Sequence, residues 1–405
     1  MRRPSSVTRE VRVLRRFRFT LPRPLRSPRW RRAAAAGLVL AFISYLVLWV
    51  YVPSRFVTVG PGPAPDVATL VVPLDESLRE AAGRGSEKGR FLLTTIQASR
   101  ASPLELYRAL TDPLVDIRPR WSVIPRGMSD EVYSRWGRAA MAESQAVAAW
   151  QAWLLLGNET GVVSDGGEVL FVSPDSPARG RLRTGDVVLS WSLGGTVRSF
   201  VLSDDFERGL AAAFHREGKA AAGLTLRLTR EGEPMTVRFP VTAPDLTAWP
   251  FLGLALAAVN PRTDPPVPVS FLPGDIGGPS GGLMLSLQIV DDFTPGDLAG
   301  GRVVAGSGTI GAGGVVGAVG GIGKKIIGAV RGGAEVFLVP HEDYVEALQA
   351  AAAQGPDGLD VIPVGSLREA YQALVSLTGR EPADYNGPDL PPTAAGPLLR
   401  VAGPR

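Results

Sequence analysis

An uncharged apolar run near the N-terminus constrains this chain more than any other feature. The run covers Ala33–Val52 and follows residues 1–32, which carry twelve arginines and a single acidic residue. An apolar stretch of about 20 residues is long enough to cross a bilayer as a helix. Because positive charge stays on the cytoplasmic side, the arginines predict a cytoplasmic N-terminus and an extracytoplasmic location for residues 53–405.

A cleaved signal peptide is the alternative interpretation of this run. The apolar core of a signal peptide is usually shorter and is followed by small residues. Here the run ends in Trp49-Val-Tyr-Val52 and continues into Pro-Ser-Arg55. Together with Tyr45, these aromatic residues suit the far membrane interface. The sequence therefore predicts an uncleaved anchor with one N-terminal span in the cell membrane.

Composition argues against several kinds of site. The chain has no cysteine, which excludes disulfides and thiolate metal sites. Its two histidines, His215 and His341, argue against a histidine-rich metal site and against most histidine-based catalysis. The net charge of +4 combines +11 in residues 1–32 with about −7 in the remainder. Because the basic segment adjoins the span, it predicts membrane topology and no nucleic-acid partner.

Changes in pattern divide the chain into six segments. Length and hydrophobic content allow two or three domains with their own cores. Helices are predicted at Ser102–Leu110, with Ser102 as the cap, and at 129–156, with Ser129 or Asp130 as the cap. The predicted segments are 1–32, a basic cytoplasmic segment; 33–52, a transmembrane helix; 53–156, an extracytoplasmic connector with a strand and helices; 157–245, a domain of short strands; 246–380, a unit of alternating strands and helices; and 381–405, a flexible tail.

Short strands separated by turns follow one another from residue 161 to residue 243. Among them, Ser176-Pro-Ala178 precedes Leu182 and Gly185-Asp-Val-Val188, and two alternating strands come last. This order resembles a PDZ domain of the bacterial type. The resemblance implies that an extended peptide adds a strand to an exposed sheet edge beside a helix. The alternative is a β domain that only packs on its neighbour, since 158–167 lacks the usual glycine-hydrophobic-glycine loop for a carboxylate.

The segment 246–380 contains a serine set among glycines at the start of an apolar helical run. The residues are Gly277-Gly-Pro-Ser-Gly-Gly282, followed by Leu283–Val290. Glycine lets other groups approach closely, and the first N–H groups of a helix have no partner within it. An exposed hydroxyl in this setting has the features of a nucleophile, which makes Ser280 the candidate.

Three interpretations of the glycine-rich region compete. Gly306–Gly311 fits a dinucleotide-binding pattern but leads into more glycines instead of a helix, and Gly323-Lys324 lacks the other residues of a phosphate loop. An α/β-hydrolase would use Ser280 with His341, and Asp291, Asp292 or Asp297 as the acid. A Ser-Lys dyad would use a lysine from Lys324-Lys325.

The rarity of lysine favours the dyad. Only four of the 43 basic residues are lysines, and arginine cannot lose its proton at usable pH, whereas a buried lysine can. On a helix over Ile322–Arg331, Lys325 lies at the edge of the apolar face of 322, 326, 329 and 330, while Lys324 lies on the solvated side. Lys325 is therefore the predicted base, although both could be surface lysines.

The order of motifs across this region is similar to the protease domain of the Lon family. The motifs are Gly278-Pro-Ser-Gly-Gly282, Ser307-Gly308, Gly320-Gly-Ile-Gly-Lys-Lys325 and Gly333-Ala-Glu-Val-Phe-Leu-Val-Pro340. With its anchor and PDZ-like segment, the chain resembles the membrane-anchored, ATPase-less bacterial members. The resemblance implies a multidomain fold: a transmembrane helix, a PDZ-like β domain with helices, and a C-terminal α/β (α+β) protease domain.

The same resemblance assigns roles to single residues. It implies that Ser280 is the nucleophile, that Lys325 is the general base, and that Ser307 orients the lysine where the family usually has threonine. Gly281 replaces the usual alanine, which predicts a looser serine loop. Asp275-Ile-Gly277 replaces a charged lead-in of the ATP-dependent members, so their loop regulation is not expected here.

The hypothesis from the sequence is a membrane-anchored serine endopeptidase that needs no ATP, cofactor or metal. Backbone N–H groups around Gly278–Gly281 would stabilise the oxyanion, and the PDZ-like segment would deliver protein or peptide substrates. The alternative from another class is a non-catalytic peptide-binding scaffold.

Overall fold

The computed structural model describes residues 28–52, 54–73, 89–218, 221–294, 296–354 and 359–379. The predicted basic segment up to residue 27 and the predicted tail 381–405 lie outside the described residues, as do Lys88 and Lys219. The helices of the described part are α1 (Pro28–Tyr51), α2 (Pro103–Thr111), α3 (Asp130–Leu155), α4 (Ser203–Glu217), α5 (Ala243–Thr247), α6 (Gly282–Phe293), α7 (Ile322–Arg331), α8 (Tyr344–Ala352) and α9 (Leu367–Thr378). The strands are β1 (Phe56–Pro61), β2 (Val71–Pro73), β3 (Arg90–Leu93), β4 (Ile96–Arg100), β5 (Asp116–Pro119), β6 (Gly161–Val163), β7 (Gly167–Val172), β8 (Val187–Leu193), β9 (Thr196–Ser199), β10 (Ala221–Arg230), β11 (Glu233–Thr242), β12 (Leu254–Ala258), β13 (Arg262–Asp264), β14 (Val269–Phe271), β15 (Val303–Gly306), β16 (Thr309–Ile310), β17 (Val316–Gly317), β18 (Val336–Pro340) and β19 (Asp360–Val364).

Helix α1 carries the predicted span. Its residues Arg29–Tyr51 are long and apolar enough to cross a membrane, and none of the most apolar part is buried by the protein. A helix that is apolar on all sides is stable only when its surface is covered, by protein or by lipid. The protein does not cover α1. Length and composition alone do not separate a span from a signal sequence at this position.

Two helices begin where the sequence predicts them. The side chain of Ser102 accepts a hydrogen bond from Glu105 N, and the Glu105 carboxylate accepts one from Ser102 N, which completes a capping box at α2. Helix α3 begins after Ser129, whose hydroxyl accepts from Val132 N. Both predictions are confirmed, because these caps depend on neighbouring residues only.

A four-stranded parallel sheet, in the order β19-β18-β15-β3, forms the centre of the C-terminal half. Its strands are mostly apolar, and every residue of β18 is buried. Parallel sheets covered on both faces have this composition. Strand β3 pairs with β15 from Val303↔Arg90 to Gly306↔Leu93. The predicted boundary at residue 246 therefore does not enclose the sheet, since one edge strand comes from residues 90–93.

The predicted connector 53–156 is a structural part of the same unit. Strand β1 lies at the centre of an antiparallel sheet, β4-β1-β5, and β2 pairs with β14 from the far side of the sequence. The C-terminal half of α3 packs on α6, where the rings of Trp153 and Phe293 meet edge to face at 5.1 Å between centroids. Strands β2 and β3 of the predicted connector pair with strands about two hundred residues away, and such pairing leaves no local signal.

Residues 167–242 form an antiparallel sheet in the order β11-β10-β8-β7, with β9 on β8 and helix α4 in the connection to β10. The sheet continues into β12, which pairs with β7 from Leu254↔Val172 to Ala258↔Gly167. Strand β12 lies beyond the predicted boundary at 245, so this sheet draws on the segment that the sequence assigns to the next unit.

Candidate active site

Ser280 lies in a single 3-10 turn, Pro279–Gly281, that runs directly into helix α6. Gly278 precedes it with φ of +91°, a conformation that side chains rarely adopt. Ser280 itself is partly exposed, and its hydroxyl has no hydrogen-bond partner among the described residues. The serine is therefore accessible at a helix N-terminus, as the glycine pattern predicts.

The backbone of Ser280 is linked to Lys325 through one hydroxyl. The Lys325 Nζ donates to Ser307 Oγ over 2.8 Å, and Ser307 Oγ donates to the carbonyl oxygen of Ser280 over 3.1 Å. The same carbonyl accepts from Gly308 N at 2.9 Å. The structure thus brings together three residues that lie up to 45 positions apart in the sequence, and it places Ser307 between the other two.

Lys325 is an amine in an apolar environment. It is 2 % exposed and lies on α7, whose residues Ile322, Ile326 and Ala329 are buried in the same core. Burial disfavours the charged form and lowers the pKa of Lys325 to about 8, although the nearby charge of Asp343 opposes this effect. A lysine with this pKa is partly neutral near pH 7 to 8 and can accept a proton.

Lys324 is not the solvated neighbour that the helical projection predicts. Its Nζ lies 2.8 Å from Asp116 Oδ1, and its side chain is 15 % exposed. The ion pair joins α7 to β5 across the molecule. The prediction is wrong because β5, which lies outside the predicted unit, covers this side of α7. Val330 differs in the opposite direction: the helical projection assigns it to the buried face, but it is exposed.

The neighbouring strand β3 leaves no space for a side chain at Gly281. A Cβ built on Gly281 would lie 2.6 Å from Leu93 Cδ1, closer than real Cβ atoms approach other heavy atoms. Its φ of −88° is open to any residue, so the constraint is space alone. Leu93 of β3 fills the volume that an alanine methyl group would need. That glycine loosens the serine loop stays a prediction.

Helix α3 holds the serine loop at two points that the sequence does not indicate. Gly278 N donates to Gly137 O over 2.7 Å, and the hydroxyl of Ser144 donates to Pro279 O over 3.0 Å. Both donor-acceptor pairs join residues about 140 positions apart. The only local signal was that α3 is long and amphipathic, which does not identify its partner.

The histidine of the hydrolase alternative has a different partner. His341 is exposed, and its Nε2 lies 3.2 Å from Glu369 Oε1. Of the three proposed acids, Asp297 accepts hydrogen bonds from Gly89, Ala299 and Gly301 N, and Asp291 accepts from Leu298 N. These carboxylates cap and brace backbone turns. In the described residues no group of three His, Asp or Glu side chains is arranged to hold a metal ion.

Residues 266–376 match the Lon protease (S16) C-terminal proteolytic domain. This part of the chain is a Lon-type proteolytic domain. The match covers about a quarter of the chain and contains Ser280, Ser307 and Lys325. The protein is accordingly a serine peptidase. Among curated proteins, none matches this chain. The matched range begins after β3 and α3, so the contacts of Leu93, Gly137 and Ser144 with the serine loop come from outside it.

Proposed function

We propose that the protein is a membrane-anchored, ATP-independent serine endopeptidase that uses a dyad of Ser280 and Lys325. The observation that supports the proposal most is the buried Lys325 Nζ, which is linked through Ser307 Oγ to the backbone of Ser280. A buried amine with a lowered pKa, linked to the backbone of an accessible serine, supports the assignment of Lys325 as the base that activates this serine.

The proposed reaction has two halves, acylation and deacylation. Ser280 Oγ attacks the peptide carbonyl carbon, and its proton passes to the neutral amine of Lys325. Lys325 then returns this proton to the leaving amine, and water repeats the sequence on the acyl-enzyme. Ser307 keeps the lysine oriented. Backbone N–H groups of the loop up to Gly281, at the start of α6, would stabilise the negative oxygen of the tetrahedral intermediate. The N–H of Gly278 is not among them, because it donates to Gly137 O.

The anchor and its orientation are part of the proposal. Helix α1 is long enough to span a bilayer, and the arginines precede it. These features favour a cytoplasmic N-terminus and an extracytoplasmic proteolytic domain. Because the proposed enzyme has no ATPase to unfold substrates, we expect it to cut unfolded, extended or tail-exposed protein segments.

We further propose that the PDZ-like segment 157–245 binds these substrates as added strands. The sheet edge nearest α4 is β12, but backbone groups of this strand already have hydrogen-bond partners. Leu256 O accepts from Trp136 Nε1 and Ser203 Oγ, and Ala258 N donates to Glu143. A peptide at this edge would have to displace α3, whereas the opposite edge, β11, carries exposed residues along half its length. The alternative is a non-catalytic scaffold with the same binding surface.

The experiment that tests the proposal is active-site labelling of the full chain in nanodiscs with a fluorophosphonate probe, together with casein cleavage. We expect Ser280→Ala and Lys325→Ala each to abolish both signals. Lys324→Ala is the matched control for the lysine, and His341→Ala is the control for the hydrolase alternative; both should keep labelling and cleavage. Loss of activity in His341→Ala but not in Lys325→Ala would contradict the dyad, and intact folding without any labelling of the wild type would favour the scaffold.

A further inference from the structure

A group of large apolar side chains is exposed next to the end of α1. It consists of Phe56, Tyr107, Leu110 and Trp121, and we refer to it as the juxtamembrane patch. Tyr107 is 61 % exposed, Leu110 76 % and Trp121 61 %. Single exposed apolar residues are ordinary, but several large ones at the same end of a sheet mark a candidate interaction surface.

Backbone hydrogen bonds join the parts of the patch at one end of the β4-β1-β5 sheet. Ser54 N donates to Ala101 O over 2.8 Å, and Ala101 N donates to Phe56 O over 3.2 Å. On the other side of β1, Arg120 N donates to Arg55 O over 2.9 Å, which places Trp121 at the same end. The patch therefore surrounds the point where the chain leaves α1.

Helix α2 presents its apolar side chains away from the protein. It buries Ala109, while Tyr107 and Leu110 are three residues apart and share the outer face. Helix α2 also packs against α1, the apolar helix long enough to span a bilayer. Its capping box and its contact with α1 hold α2 at the level where α1 ends.

Two exposed arginines border the patch, together with the exposed acidic residues Glu105 and Asp112. Arg55 lies beside Phe56, and Arg108 lies beside Tyr107; both are exposed and form no ion pair within the described residues. Aromatic rings prefer the interface of a bilayer, and an arginine near it is attracted to anionic headgroups.

We infer that the juxtamembrane patch lies in the headgroup layer of the bilayer that α1 crosses, with anionic lipid as its partner. The inference rests on the membrane anchor of the proposed function. It adds that the proteolytic domain is held against the bilayer by a second contact, instead of swinging freely on α1. Strand β4 leads from this end of the sheet to Ile96, which packs against Gly321 at the start of α7. A five-residue strand spans about 17 Å, so the helix that carries Lys325 begins within about 20 Å of the headgroups.

The absence of cysteine makes a direct test possible. Single variants Tyr107→Cys and Leu110→Cys are labelled with a polarity-sensitive fluorophore in the full chain, in nanodiscs that hold one copy and contain phosphatidylglycerol. We expect a blue-shifted emission and quenching by shallow doxyl lipids at both positions. Leu46→Cys, within α1, should be quenched by deep doxyl lipids. Val197→Cys, which is 59 % exposed on β9, is the matched control and should show neither effect.

The outcomes separate the inference from the anchor. If Leu46→Cys is embedded while positions 107 and 110 remain in water, the patch does not contact lipid and the inference fails with the anchor intact. If Leu46→Cys is also in water, the anchor fails. Shielding at 107 and 110 only in vesicles with many copies, without doxyl quenching, would assign the patch to a second copy and overturn the inference.

The double variant Arg55→Glu/Arg108→Glu tests the choice of anionic lipid. It should lose at least half of the quenching at position 110 while the label in α1 is unchanged. Unchanged quenching at position 110 would overturn the anionic-lipid assignment.

Discussion

At the scale of single residues, the protonation of Lys325 controls the proposed reaction. Only the neutral amine can accept the proton of Ser280, and burial lowers the pKa of Lys325 to about 8. The neutral fraction rises as pH rises through this value. We therefore expect kcat/KM for a peptide substrate to increase about tenfold per pH unit below pH 7 and to level off above about pH 9. A profile with its rising limb near pH 6.5 would instead indicate a histidine.

A substitution at Asp343 would shift the rising limb of the pH profile of kcat/KM while Ser280 and Lys325 stay unchanged. Its charge raises the pKa of Lys325, and its carboxylate also accepts a hydrogen bond from Val319 N at 2.8 Å. Asp343→Asn keeps an acceptor for that bond but removes the charge. The limb should therefore shift to lower pH in the variant. A shift to higher pH, or none, would show that the limb belongs to another group.

A second residue-scale prediction concerns the space around Gly281. Gly281→Ala should destabilise the fold by about 1 to 3 kcal/mol and lower kcat, because the new methyl group meets Leu93 Cδ1. In the background of Leu93→Ala the same substitution should cost much less, since the clashing atom is gone. Denaturant unfolding of the two single variants and the double variant measures the coupling. Additive costs would contradict the steric explanation.

At the scale of elements, α3 acts as the support of the serine loop. Its Ser144 hydroxyl binds Pro279 O directly before the proposed nucleophile. We expect Ser144→Ala to lower kcat about threefold to tenfold with little change in KM, because the loop loses one of its two tethers. Stability should fall by only about 1 kcal/mol.

Ser134 on the same helix supplies the control for this prediction. Its hydroxyl is exposed and, within the described part of the chain, accepts a hydrogen bond from Arg138 alone, away from the loop. Ser134→Ala should leave kcat unchanged. Equal losses of kcat in the two variants would mean that Ser144 acts through the stability of α3 and not through the loop.

At the scale of the whole molecule, the proteolytic unit depends on the N-terminal half of the chain. Strand β3 completes the parallel sheet, and α3 packs on α6. A fragment of residues 246–379 should therefore show no cooperative unfolding and no labelling by a fluorophosphonate, because it leaves apolar faces of α6 and β15 uncovered. A fragment of residues 54–379 should show both. A folded, active 246–379 fragment would refute this dependence.

The features that the sequence by itself determined are those that depend on neighbouring residues. The apolar run of α1, the caps at Ser102 and Ser129, and the helix over Ile322–Arg331 were all predictable, because helix formation and capping act within a few positions. The glycines around Ser280 and the scarce lysines likewise indicated a serine peptidase, which the match to the Lon-type proteolytic domain confirms.

Only the tertiary structure decided what those residues touch. The insertion of β3 beside β15, the contact of Leu93 with Gly281, the hold of Gly137 and Ser144 on the serine loop, and the ion pair of Lys324 with Asp116 all join distant parts of the chain. Such contacts form because apolar surface is buried and polar groups are paired wherever the fold brings them together, and one sequence shows no periodicity or spacing that records them.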